Sequence, residues 1–211
     1  LLIFGHAGIT LGAVTVLNGL ATGAVSKREE TYPELETDKN ATGKSLSGGL
    51  FSWFARLGKR LDLRILLVGS LLPDIIDKPL GHVLFPEYLS SGRTFAHTLL
   101  FTVLIALGGL IIRYRTGKTW MLVLSLGSFA HLVLDEMWLP EWRTTLLWPF
   151  YGLEFPKAEL TGWLGQIWHV LLHEPAVYIP EIIGGVVMII FLWVLVRNSR
   201  LTSFLKHGRL S

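Results

Sequence analysis

Histidine and aspartate recur along this 211-residue chain at spacings that suit a metal ion. His131 and Asp135 stand four apart, so one turn of helix would present an imidazole and a carboxylate on the same face, within reach of one cation. Asp74 and Asp77 stand three apart. Two carboxylates so close repel each other unless one is protonated or a cation lies between them, and a cation answers this best. With His6 and His97 the candidate metal ligands are His6, Asp74, Asp77, His97, His131 and Asp135. That is more than the four of a closed structural zinc site, which favours an open or two-metal site where bound water becomes hydroxide near neutral pH. The chain has no cysteine, so any metal must use imidazole and carboxylate; Zn²⁺ is the first expectation, with Mn²⁺ or Fe²⁺ in reserve.

Arg93 lies one helical turn before His97. Its planar fork of donors would hold an anionic group such as a phosphate, or pair with an aspartate. His82, His169, His173 and Glu181 are open as ligands, acids or bases, or purely structural groups. A bland alternative stands beside the whole set: a hydrogen-bonded polar cluster that only joins helices.

The elements that must position these residues are membrane helices. Half of the chain is hydrophobic (51%) and only 17% is charged, with a mean hydropathy of +0.49. Such a chain belongs with integral membrane proteins and leaves no room for a separate soluble core. The expected fold is all-α, a single membrane domain over 1–211 with about five spans, near 1–25, 63–80, 94–112, 119–139 and 179–196. The first is long enough to cross roughly 30 Å of hydrocarbon at about 1.5 Å per residue. Because it lacks a basic start and is followed by Lys27 and Arg28, it suits an outside-to-inside helix better than a signal peptide. The second is weaker, since its apolar run soon meets Pro73, Asp74 and Asp77. Residues 26–62 read as a cytoplasmic loop, irregular from 26 to 48 and amphipathic from Leu50 to Leu61, where an apolar face opposes Arg56, Lys59 and Arg60. Residues 140–178, rich in tryptophan and turn residues, read as an outer interfacial segment.

Most Lys and Arg residues fall in 26–64, in the turn Arg113 to Lys118 and in the tail after Arg197, while the other side has only Lys78, Arg93, Arg143 and Lys157. By the positive-inside rule the amino terminus is outside and the carboxyl terminus cytoplasmic, in an inner (cytoplasmic) membrane. Basic charge spent on topology argues against nucleic acid as a partner. The same topology carries all six ligand candidates to the outer face, although none of them was used to derive it. An ionisable group inside a span costs roughly 2.5–3.5 kcal/mol on insertion scales, so mutual pairing or a cation is needed to keep several there.

The runs Gly5-His6-Ala7-Gly8, Leu71-Leu72-Pro73-Asp74-Ile75-Ile76-Asp77, Arg93-Thr94-Phe95-Ala96-His97-Thr98, His131-Leu132-Val133-Leu134-Asp135 and Leu147-Trp148-Pro149 resemble, in order, the signature blocks of the YdjM-like family of inner-membrane metal-dependent hydrolases. That family has a more distant likeness to zinc-dependent phospholipase C. Two departures stand out: where the family commonly carries His and Thr, this chain has Gly92 and Ala96, and its Pro-Asp block has one extra residue before the second Asp. His82 is the candidate to replace the missing imidazole. The resemblance implies a metal-dependent hydrolase; with the cluster at the outer interface, the expected reaction is hydrolysis of a phosphoester or similar bond near lipid headgroups, with Arg93, Asp77 and His82 as candidate catalytic groups. Membrane lipids, or a lipid-linked substrate, are the expected partners. A metal transporter is the rival reading, but it would place ionisable groups near the midplane and leave an internal repeat, which the chain lacks.

Overall fold

The computed structural model describes residues 2–31, 61–89, 91–157 and 163–208, and among these there is no strand. Its helices are α1 (Ile3–Thr31), α2 (Leu63–Pro79), α3 (Leu99–Thr116), α4 (Trp120–Leu134), the short α5 (Arg143–Leu146), α6 (Trp163–His173), α7 (Pro175–Arg197) and α8 (Leu201–His207). The amphipathic stretch expected at 50–61 lies almost wholly outside the described residues. Packing runs across the bundle in the order α7, α1, α2, α4, α3, so chain neighbours are not always spatial neighbours.

Among the described residues, three helices are long and apolar enough to cross a membrane: Ile3–Leu20 within α1, Leu99–Thr116 and Pro175–Arg197. They leave large apolar side chains such as Leu104, Ile111, Ile189 and Leu192 about half exposed on the outer wall. That wall would be an aggregation surface in water and is the natural boundary with lipid tails. The remaining two expected spans depart from the simple picture. Apolar α4 has 15 residues, short of the ~20 that a perpendicular span needs. The 17 residues of α2 include Arg64, Asp74, Asp77 and Lys78, and both helices sit inside the bundle.

Boundaries follow local chemistry. The helix α1 runs on to Thr31, past the expected loop start at 26. Lys27, Arg28, Glu29 and Glu30 are straight-chain helix formers, and no glycine or proline interrupts them. Helix α3 begins at Leu99 and not near 94, because Thr98 turns out of the helix and its hydroxyl accepts from the Phe101 N–H at 3.0 Å, a cap worth about 1 kcal/mol. That frees Phe95–His97 to form a separate 3-10 turn. Gly117 ends α3 in the left-handed region, φ 72°.

Two glycine contacts set how closely the helices approach. A side chain on Gly69 of α2 or Gly127 of α4 would collide with the backbone of the other helix, and the same holds for Gly8 of α1 and Gly184 of α7. Only backbone on backbone fits there. Gly184 thus serves close helix packing, whereas a Cβ on Gly185 would meet nothing within 4 Å. An apolar core of Leu11, Leu61, Leu63, Leu66, Val123, Leu195 and Phe204 fills one end of the bundle. Buried polar groups fill the other.

Candidate metal centre

The centre is assembled around Asp77. Its carboxylate is fully buried near the end of α2 and accepts from the backbone N–H groups of Thr94 (2.7 Å), Ala96 (3.0 Å) and His97 (3.1 Å). It also accepts from Nδ1 of His97 at 2.8 Å. One carboxylate therefore shapes the turn before α3 and orients the imidazole that the turn carries. This differs from the expected role of Asp77 as a metal ligand. With its oxygens committed to four donors it stands in neither group of side chains able to hold an ion, and it is a positioning residue.

His131, on α4, is held in a matching way. Its Nδ1 donates to the carbonyl of Ser70 on α2 at 2.7 Å. That bond depends on the glycine contact: Gly69 adjoins Ser70, and Gly127 lies one turn before His131, where the two backbones meet. Pro73 also lacks an N–H for the Gly69 carbonyl, loosening α2 at this turn.

His6 enters from α1. Glu181, buried on α7, accepts from the N–H groups of Leu2 (2.6 Å), Phe4 (3.0 Å) and Gly5 (3.0 Å). A carboxylate thus caps the positive end of α1 from a neighbouring helix, while Gly8 and Gly184 bring the two helices together. His6 itself is fully buried, and neither ring nitrogen has a hydrogen-bond partner. Its Nε2 is 3.2 Å from Asp135 Oδ1, close but outside hydrogen-bond geometry, an approach suited to two ligands of one ion.

Among the described residues, two groups could each hold a metal ion: His6, His131 and Asp135, and Asp74, His97 and His131. In each, one ligand atom per residue lies within 4.8 Å of the others. They share His131, whose Nε2 is 3.8 Å from Asp74 Oδ1 and 4.0 Å from Asp135 Oδ2. His97 Nε2 is 3.6 Å from Asp74 Oδ1 and 3.2 Å from His131 Nε2.

The last distance is the telling one. Nδ1 of His97 faces a carboxylate and Nδ1 of His131 faces a carbonyl, and neither acceptor can donate. Each Nδ1 must therefore carry the proton. In neutral imidazoles both Nε2 atoms then present lone pairs to each other, which repel unless one ring is protonated or a cation lies between them. His6, with two unpartnered buried nitrogens beside Asp135, repeats the demand. The residues present fit a divalent ion.

Arg93 reaches the centre as an ion pair: its Nε donates to Asp135 Oδ2 at 2.8 Å, and its guanidinium lies over the Trp142 ring, 4.4 Å from the centroid. His82 sits on the turn Leu80–Leu84 and packs against Gly92, in neither metal group. Burial, with Lys78 beside it, holds its imidazole below the ordinary histidine range. The exposed His169 and His173 stack on α6, ring centroids 4.5 Å apart, and also stand outside both groups.

Sequence reasoning missed the Ser70 carbonyl, the three amides on Asp77, the part played by Glu181 and the pairing of Lys78 with Asp74. Backbone groups leave no residue signature. The Lys78 pair, at i, i+4, was the one signal that spacing could have found.

Comparison with known proteins adds one match. A family model described as YdjM inner membrane protein covers residues 37–205. It includes every ligand candidate except His6. No curated protein and no solved structure matches the chain, so the distant likeness to phospholipase C has no match behind it.

Proposed function

The chain belongs to the YdjM inner membrane protein family, and from that premise we propose that it is a multi-pass, membrane-bound, metal-dependent hydrolase acting on a phosphoester or similar bond at the outer membrane interface. The observation that carries this reading is the pair of facing imidazole nitrogens, His97 Nε2 and His131 Nε2, 3.2 Å apart with both Nδ1 atoms committed elsewhere. His6, Asp74, His97, His131 and Asp135 hold the ion, zinc first and manganese or iron in reserve. A divalent ion bound by such residues supplies Lewis acidity and lowers the pKa of water towards 7, making a nucleophile available at neutral pH. Asp77 orients His97, the Ser70 carbonyl orients His131, and Arg93 holds Asp135 while adding positive charge where an anionic transition state would form.

The amino-terminal, centre-bearing face is the outer one in this reading, because the basic residues collect on the other side. Substrate then reaches the centre from the headgroup region. A non-catalytic polar cluster is the second reading, and the Arg93–Asp135 and Lys78–Asp74 ion pairs are the observations in its favour.

Chromogenic nitrophenyl phosphomonoester, phosphodiester and carboxylic ester probes separate the two when given to detergent-purified protein with zinc or manganese. Expected is release of nitrophenolate from a phosphoester probe, abolished by chelation, restored by metal and reduced at least about a hundredfold by His131→Ala. Metal-replete protein inert towards all three classes would overturn the hydrolase reading.

A further inference from the structure

Outside the two metal groups lies a second, cationic layer. Lys78 Nζ donates to Asp74 Oδ2 at 2.6 Å, and Arg93 Nε donates to Asp135 Oδ2 at 2.8 Å. Each metal group contributes one carboxylate, and each of those carboxylates is held by one cation. Exposure orders the layers: the His6, His97 and His131 side chains are at 0%, Asp135 and Asp74 at 3% and 11%, Arg93 and Lys78 at 29% and 33%. The two cations are thus the most solvent-accessible members of the set.

Gly92, the residue before Arg93, packs against the Lys78 side chain, and a Cβ there would lie 3.4 Å from Lys78 Cγ. Trp142 covers one face of the guanidinium, which leaves further hydrogen bonds to its in-plane edge, where Nε already serves Asp135 and the Nη donors lie in the same plane.

We propose that Lys78 and Arg93 form an oxyanion-binding cradle beside the centre, selecting a phosphate-type group. The inference rests on the metal reading in one respect. When Asp74 and Asp135 turn their charge to an ion, Lys78 and Arg93 lose part of their counter-charge and take up an entering phosphate. Binding of metal and phosphate is then mutually favourable, by equal factors in either direction. Free phosphate and a lipid phosphate headgroup share this chemistry.

The test is calorimetric titration of the detergent-purified full chain with inorganic phosphate, and separately with the short-chain lipid dihexanoyl phosphatidate, before and after chelation. Metal content is measured on every sample. Expected is a Kd for phosphate at least about tenfold weaker in Lys78→Gln and in Arg93→Gln. Lys78→Arg stays within about threefold, because it keeps the charge, and Lys157→Gln, altering an exposed lysine, matches wild type. Chelation weakens phosphate binding in wild type. Much tighter binding of the phosphatidate marks a headgroup as the natural ligand, and equal binding marks a free phosphate; both support the cradle. It is overturned if wild type binds neither ligand, or if Lys78→Gln binds phosphate as wild type does, even where that variant has lost metal. Absence of metal from wild type would count against the metal reading alone, since the effect of the Lys78 and Arg93 variants on phosphate can still be read on that sample.

Discussion

The two ends of the bundle treat charge in opposite ways. At the end away from the metal centre, Asp62 caps α2 and is gripped by Arg64 through Nε at 3.0 Å and Nη2 at 2.6 Å. Arg64 also reaches the Leu205 carbonyl, and the Leu63 N–H donates to the Gly208 carbonyl at 2.8 Å, fastening α8 beneath α2. Donors there meet acceptors, and the side chains are partly in water, 21% and 37% exposed. At the other end His6, His97 and His131 are fully buried, the Nε2 atoms of two imidazoles lie 3.2 Å apart with both Nδ1 atoms committed elsewhere, and His6 has no hydrogen-bond partner. A satisfied ion pair needs nothing further to account for it. Buried polarity that its neighbours leave unmatched points to a group the protein is built to bind.

That contrast can be broken most severely at Asp77. Asp77→Ala would strand three backbone amides and release His97; an expected loss of about 3–5 kcal/mol, of the size found on removing one partner from a buried ionic contact, is read by thermal unfolding in detergent. Crowding the helix contact comes next. Gly127→Leu drives a side chain into the α2 backbone and should cost about 1–3 kcal/mol by overpacking, with metal affinity falling as the His131–Ser70 bond is pulled apart. Gly185→Ala, placed in open space, should leave both unchanged. Glu181→Ala removes the acceptor for the first amides of α1, at an expected cost of about 1–2 kcal/mol, and should weaken metal binding through His6 while sparing Asp74 and His97.

The smallest effect is expected at the satisfied end. Hydrogen bonds from Arg64, working against partial burial, hold the Asp62 carboxyl below its usual range. A lowered folded pKa means that the clamp contributes fully above the ordinary carboxylate pKa and is lost as pH falls through the folded value. Asp62→Asn should therefore lower the melting temperature slightly at neutral pH, by the modest amount typical of exposed pairs. The difference from wild type should close on acidification.

Much of this arrangement could be read from residue spacing. His131 and Asp135 at i, i+4 and the apolar runs of α1, α3 and α7 placed an imidazole and a carboxylate together within membrane helices. Spacing could not distinguish Asp74 from Asp77, which share a face of α2 but differ in what meets them: a lysine and two imidazoles for one, a turn of backbone amides for the other. Hydropathy marked α2 as the weaker span but could not show that α4 is shorter than a perpendicular span. Their polar and small residues are accommodated by neighbouring helices, and burial by protein is a property of the assembled bundle. The continuation of α1 to Thr31 was hidden for the opposite reason, since charged straight-chain residues extend a helix without any apolar period.

Elemental analysis of the purified protein tests the central claim most directly, comparing wild type with His131→Ala and Asp135→Ala after supply of zinc or manganese at neutral pH. The account predicts about one or more transition-metal ions per chain in wild type and their loss in both variants. Wild-type protein without metal under those conditions, or variants that retain the full wild-type content, would contradict it and leave a structural polar cluster in its place.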